Sequence, residues 1–271
     1  MTKITARDRL TYLDRVKSNK EKIEQLLKKE RIILKNLKEN SADSASLRLT
    51  LINEMIVLIA NYIILSNVSL SMLKQRNETA LNEARKAFIR TIVYMEDLVS
   101  PLVDAAFSDY EDKLAEIADL DAANRYLLAR KMGLILELLI DACGASTRWK
   151  WAFVELEGRV VAVVKNILDL KAAVANTDPR SPNYEPTIMH LRLIKKLLSR
   201  TASRYRDRFE LSTKNPDDLS QAVRFLGSLR RIHAVLGEPR DAEAAKKKAD
   251  SLSLKLQAII KKNKEESSPK T

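Results

Sequence analysis

No glycine occurs before Gly133 and no proline before Pro101. Turns, bulges and strand corners are built largely from these two residues, so a hundred positions without either read as long helices. Five glycines and seven prolines serve all 271 residues, of which 45% are apolar and only 5% aromatic. A core of Leu, Ile, Val and Ala with few rings suits helix-on-helix packing better than a β-sandwich. The expected fold is all-α: an antiparallel helical bundle or short helical-hairpin solenoid with a long N-terminal helix.

That first helix is expected over residues 5–40, about 54 Å at 1.5 Å per residue. Stepping by three and four from Leu13 gives Val16, Lys20, Ile23, Leu27, Glu30, Leu34 and Leu37, so six of the eight seam positions are apolar. This is a heptad stripe interrupted by two charges. It fits an ordinary amphipathic helix and equally a protruding, coiled-coil-like arm whose seam, at Leu27 and Leu34, contacts a protein partner. Residues 40–46 hold N-cap types and form a break.

A helical region follows from 46 to 99. Inside it, residues 55–73 are nineteen positions without a charge. That length just reaches a membrane span. Asn61, Ser66, Asn67, Ser69 and Ser71, and the lack of aromatic anchors at both ends, favour a fully buried central helix, apolar nearly all round. Ser100 and Pro101 suit the N-cap and first position of a helix to about Leu120. Asp121 can cap a helix to Cys143, closed by Gly144, and Ser146 or Thr147 a further one through Ala175. Residues 176–186 contain three prolines and mark a boundary. Helices are expected at 187–212, 217–236 and 239–263. The domains are then a basic helix (1–40), a central helical domain (46–176), basic C-terminal hairpins (187–263) and a polar, disordered tail (264–271).

Little in the chain suggests catalysis. There are two histidines, His190 and His233, one cysteine, Cys143, and no glycine-rich phosphate loop. Neither histidine has a His or Cys partner at metal-ligand spacing. Cys143 lies among Leu138, Leu139, Ile140 and Ala142, as a small buried hydrophobe would. The expectation is a non-enzyme with no catalytic, cofactor-binding or metal residues. One cysteine forms no internal disulfide, which suits a cytoplasmic setting.

Charge is the more informative signal. The net charge is +12, distributed as +6 over residues 1–40, −4 over 41–186 and +10 over 187–271. Basic ends and an acidic centre either neutralise each other or leave an end free for an anionic partner. Arg192, Lys196, Arg200, Arg204 and Arg208 recur every four residues, a helical stripe about 24 Å long. Like charges at that spacing repel. The stripe therefore implies a compensating partner, either internal carboxylates or an external polyanion. The only tryptophans, Trp149 and Trp151, stand together with Phe153 and offer a protein contact, since Trp is enriched in binding hot spots.

The stretch Leu236-Gly-Glu-Pro-Arg-Asp-Ala242, followed by Ala249, resembles the turn and second helix of a tetratricopeptide repeat. Gly237, Ala242 and Ala249 have that family's spacing of small residues, while Arg230 stands where the family has a small residue and the earlier large aromatic is missing. The resemblance covers about 35 residues and implies antiparallel hairpin packing and a protein-binding scaffold. Taken together, the sequence points to a helical scaffold or adaptor that assembles with other proteins or with itself. The alternative is a basic, nucleic-acid-associated structural protein working through phosphate contacts.

Overall fold

The computed structural model describes residues 6–39, 44–144, 147 and 149–267. Among them are ten α-helices and no strand, as an all-α fold requires: α1 (Ala6–Glu39), α2 (Ser44–Leu73), α3 (Glu78–Leu98), α4 (Glu111–Ala115), α5 (Ala122–Cys143), α6 (Ala152–Asn166), α7 (Leu170–Ala175), α8 (Tyr184–Arg208), α9 (Pro216–Val235) and α10 (Pro239–Ser267). A 3-10 turn, Phe107–Asp109, precedes α4, and a π turn, Phe209–Thr213, closes α8. Most of the expected break at 40–46 lies outside the described residues, as do Ser146 and the last four residues of the expected disordered tail. The first part of that tail, up to Ser267, is helical.

The chain divides into two compact units: one of Met1–Val99, Lys113–Asp119 and Arg130–Lys150, the other of Ser100–Asp112, Leu120–Ala129 and Trp151–Thr271. The division does not fall at the proline-rich stretch 176–186. Helices α6 and α7 belong with α8 to α10, because the apolar faces of α6 and α8 are buried against each other.

In the first unit, the region expected as one helix from 46 to 99 is two. Lys74 takes the left-handed conformation, φ 57°, and ends α2. Asn77 then caps α3, its side chain accepting from the Ala80 amide at 3.0 Å. The N-terminal helix is not a free arm; α1 packs along α2. Its buried positions are Val16, Ile23, Leu26 and Glu30, and Asn19 donates to the Asn61 carbonyl at 2.9 Å. Val16, Ile23 and Glu30 are positions of the expected seam; Leu26 is buried where Leu27, which is half-buried, was expected, and toward the N-terminus the seam is open, with Leu13 59% exposed. The sequence presents Glu30 as a flaw in the stripe. Its carboxylate accepts from Arg90 Nε at 2.8 Å and from the Tyr94 hydroxyl at 3.0 Å, tying α1 to α3. Burial, reinforced by that carboxylate, pushes the Tyr94 hydroxyl up to about 12.

Helix α2 is not enclosed all round. Leu51, Ile52, Met55, Leu58 and Ile59 are fully buried, but Val57, Ile64 and Leu70 are 49%, 48% and 41% exposed. Helices α1 and α3 cover two sides. Leu70 lies on another face than Val57 and Ile64, which, seven residues apart, share a third side that stays open. Lys131 of α5 reaches Asn53 at its edge, Nζ to Oδ1 3.0 Å.

In the second unit, the helix expected from Ser100 does not form before Glu111. Side chains from α6 and α9 take the carbonyls a helix would have used. Asn166 donates to Ser100 O (2.6 Å) and Leu102 O (3.0 Å), Lys165 to Ala105 O (3.2 Å), and Ser228 to Val103 O (2.6 Å). Burial, with the charge of Arg231, pulls Lys165 down to about 8. Helix α6 also starts later than Thr147, at Ala152; residues 149–151 form a turn. Asp169 caps the short α7 separately, accepting from Ala172 N at 3.0 Å. Helices α9 and α10, joined at Gly237 (φ 69°), form an antiparallel hairpin, although α10 continues for 29 residues.

Candidate binding surfaces on the basic helices

Helix α6 is almost wholly buried, with Val154, Leu156, Val160, Val161, Val163 and Val164 inside. Among them lies one carboxylate, Glu157, 1% exposed. It is the partner of the α8 stripe. Arg200 Nε donates to its Oε1 at 2.9 Å, Arg204 NH1 to its Oε2 at 2.5 Å, and Thr201 Oγ1 to its Oε1 at 3.2 Å. One turn on, Arg208 donates to Asp218 of α9, through Nε at 2.8 Å, and to the Trp151 carbonyl at 3.3 Å. Thr213 also bonds Asp218, which is buried like Glu157. A buried carboxylate is stable only when paired and hydrogen-bonded, and both acids are.

The stripe therefore divides. Arg200, Arg204 and Arg208 are engaged internally, while Arg192 and Lys196 are exposed. Glu157 is not singled out by the sequence, because Glu155, Arg159 and Lys165 stand in the same helix and only packing shows which acid is buried. Nor is Asp218, because Asp217 and Asp218 look like ordinary first-turn acids of α9.

Beside this network lies a cleft of about 390 Å³ in the second unit, lined by residues of α6, α8, α9 and the 101–104 segment. Its charged lining mixes four acids, Asp104, Glu155, Asp217 and Asp218, with three arginines, Arg159, Arg208 and Arg224. Tyr205 forms one wall, packed on Gly158 so closely that an added Cβ would sit 2.9 Å from Cε2 and 3.1 Å from Cζ. Gly158 is thus the close helix crossing for which a mid-helix glycine is needed.

The histidines have separate settings. His190 is buried; its Nε2–H donates to Val164 O at 3.1 Å, and its Nδ1 has no hydrogen-bond partner. With Arg125, which donates to Ile167 O at 2.9 Å, it satisfies carbonyls at the C-terminus of α6. Burial, aided by the Arg125 charge, brings His190 down to about 4. His233 Nδ1 lies 2.5 Å from Glu238 Oε2, and Asp241 is near enough to make a three-ligand set. The cation position is taken by Lys195, whose ammonium is 2.6 and 2.7 Å from the two Glu238 oxygens. Burial alone would raise the Glu238 carboxyl, but hydrogen bonds from Lys195 and His233 outweigh it and hold the group below its usual range.

The expected protein contacts are partly covered. Leu27 and Leu34 are half-buried at the edge of the α1 seam. Trp149 is half-buried, with the Arg85 guanidinium 4.0 Å from its ring centroid. Trp151 is also half-buried, and Phe153 is core. Cys143 is a free, half-buried thiol, raised mainly by burial.

These features define an all-α protein of packed helical hairpins. The chain belongs to the TP0443 family, whose model matches residues 8–260. Neither curated proteins nor solved structures give a match to it.

Proposed function

We propose that this chain is a non-enzymatic helical scaffold that binds other proteins or further copies of itself. The observation that carries this reading is the open apolar side of α2. Val57 and Ile64 stand there at 49% and 48% exposure, and on α5, Leu134 and Leu138 are 54% and 43% exposed. Apolar residues clustered in this way mark interaction sites far more often than scattered ones do. Asn53 and Asn67, also exposed on α2, supply the polar rim such interfaces have. The contact is thereby moved from the α1 seam and Trp149 to the face of α2. The unpaired Cys143 suits a reducing, cytoplasmic setting.

The test is a Val57→Glu/Ile64→Glu variant compared with the wild type by light scattering and by affinity purification from the native lysate. The wild type should be oligomeric or carry a stoichiometric partner, and the variant should lose it with helix content unchanged by circular dichroism. A monomeric wild type that retains no partner sinks the proposal.

The second reading, a nucleic-acid-associated protein, is favoured by the exposed Arg192 and Lys196 alone among the stripe residues. Phosphate contacts would make its affinity fall steeply between low and moderate salt.

A further inference from the structure

Helices α8 and α10 run side by side in the same direction, both packed on α9. An ion pair closes each end of the channel between them: Lys195 with Glu238 at one end, Lys255 with Glu210 at 2.9 Å at the other. Between these pins lies a groove of about 380 Å³. Ala202 and Leu226, which are buried, and the half-buried Leu252 form an apolar floor. The polar lining is Ser199, Ser203 and Arg206 from α8 with Lys247, Lys248 and Ser251 from α10.

Among the described residues, no carboxylate lines this groove. Elsewhere on these helices, cations sit against acids: Arg200 and Arg204 on Glu157, Arg208 on Asp218, Lys195 on Glu238 and Lys246 on Glu243. Arg206 pairs with its exposed chain neighbour Asp207, at 2.9 Å, and also feels the exposed Glu210 one turn on; Asp250 of α10 is exposed beside Ser251. Lys247 and Lys248 are exposed. Three cations from two walls thus converge over an apolar floor, with serine hydroxyls between them.

We propose that this groove binds a small phosphate monoester with a compact apolar body. The phosphate dianion lies between Arg206 and the Lys247/Lys248 pair, accepting hydrogen bonds from them and from the Ser199 and Ser251 hydroxyls; the Ser203 hydroxyl donates to the Ser199 carbonyl. The apolar body rests on Ala202, Leu226 and Leu252. The volume lies in the range of small-molecule sites. The concave shape and closed ends favour a short ligand over a polymer, which would have to pass the acids Glu238 and Glu210.

The test uses phenyl phosphate as the probe, with isothermal titration calorimetry on the full chain at low salt. Phenyl phosphate should bind at least tenfold more tightly than inorganic phosphate or benzoate. Lys247→Glu/Lys248→Glu should weaken it at least tenfold, as should Arg206→Glu. All three positions are exposed, and unchanged circular dichroism and melting temperature verify folding. Lys261→Glu/Lys262→Glu makes the same change in net charge farther along α10 and should leave binding intact. Equal losses in this control would show an effect of overall charge and overturn the assignment. So would unchanged binding in the groove variants, or a protein that binds single- or double-stranded nucleic acid but not phenyl phosphate.

Discussion

Glu157 holds two guanidiniums and a threonine hydroxyl from a position 1% exposed to solvent. Removing one member of a buried ion pair strands the others, typically at about 3–5 kcal/mol. Here Arg200 and Arg204 retain 36% and 32% exposure and can turn outward. Glu157→Ala should therefore cost about 2–3 kcal/mol in urea denaturation; a loss below about 1 kcal/mol would mean the network is incidental. Of the three mid-helix glycines, Gly133, Gly158 and Gly227, only Gly158 sits against a neighbour. Gly158→Ala drives a methyl into Tyr205 and should cost about 1–3 kcal/mol, partly recovered in Tyr205→Phe. Gly227 has nothing within 4 Å of an added Cβ, so Gly227→Ala should be neutral or stabilise by up to about 1 kcal/mol. His190 sets an acid limit. Its imidazole is held down to about 4 when folded and returns to 6.5 when unfolded. Between those values the unfolded chain binds the extra proton, so stability is full above pH 6.5 and is lost as pH falls toward 4, by roughly 3 kcal/mol. His190→Phe should flatten that limb of the pH–stability curve.

At the scale of the element, the N-terminal helix shows what a heptad pattern conveys and what it omits. Its existence, its length and an apolar stripe are legible in the sequence. The stripe does not show how far the packing extends: Val16, Ile23 and Glu30 of the seam are buried, but Leu13 at its start is not, and Leu26 is buried beside Leu27. Leu26, 7% exposed, should cost about 2–4 kcal/mol on truncation to Ala. Leu13, 59% exposed, should cost less than about 0.5 kcal/mol. Thermal or urea melts of the two variants check this, and equal losses would mean that the first turns of α1 are packed as well. Residues 100–110 make the converse case. Ser100-Pro101 is a sound helix start, but local capping preference is worth about 1 kcal/mol. It yields to four hydrogen bonds from Lys165, Asn166 and Ser228 that hold this segment's carbonyls. No local pattern reveals such bonds, because their donors lie 60 to 125 residues away.

For the whole molecule, the charge pattern changes meaning once the chain is folded. A stripe whose spacing asks for a compensating anion, internal or external, is neutralised over three of its five residues by acids from α6 and α9. An Arg200→Glu/Arg204→Glu/Arg208→Glu variant should accordingly lower the melting temperature by more than about 10 °C with no nucleic acid present. A variant that melts like the wild type would return those arginines to the surface. Exposed cations remain at Arg192 and Lys196 of the stripe and along the α8–α10 groove, between helices that the sequence leaves unassociated.

The sequence by itself determined the all-α class, the helical nature of nearly every segment and the stops at Gly144 and Gly237. These follow from backbone preferences and apolar periodicity, which act within a few residues. Only the tertiary structure decided what α1 packs against, that α2 keeps an open apolar side, and which arginines of the α8 stripe pair with buried acids. Those outcomes depend on where a handful of buried acids and amides find partners from distant helices. A buried polar group costs more when unpaired than any local preference can offset.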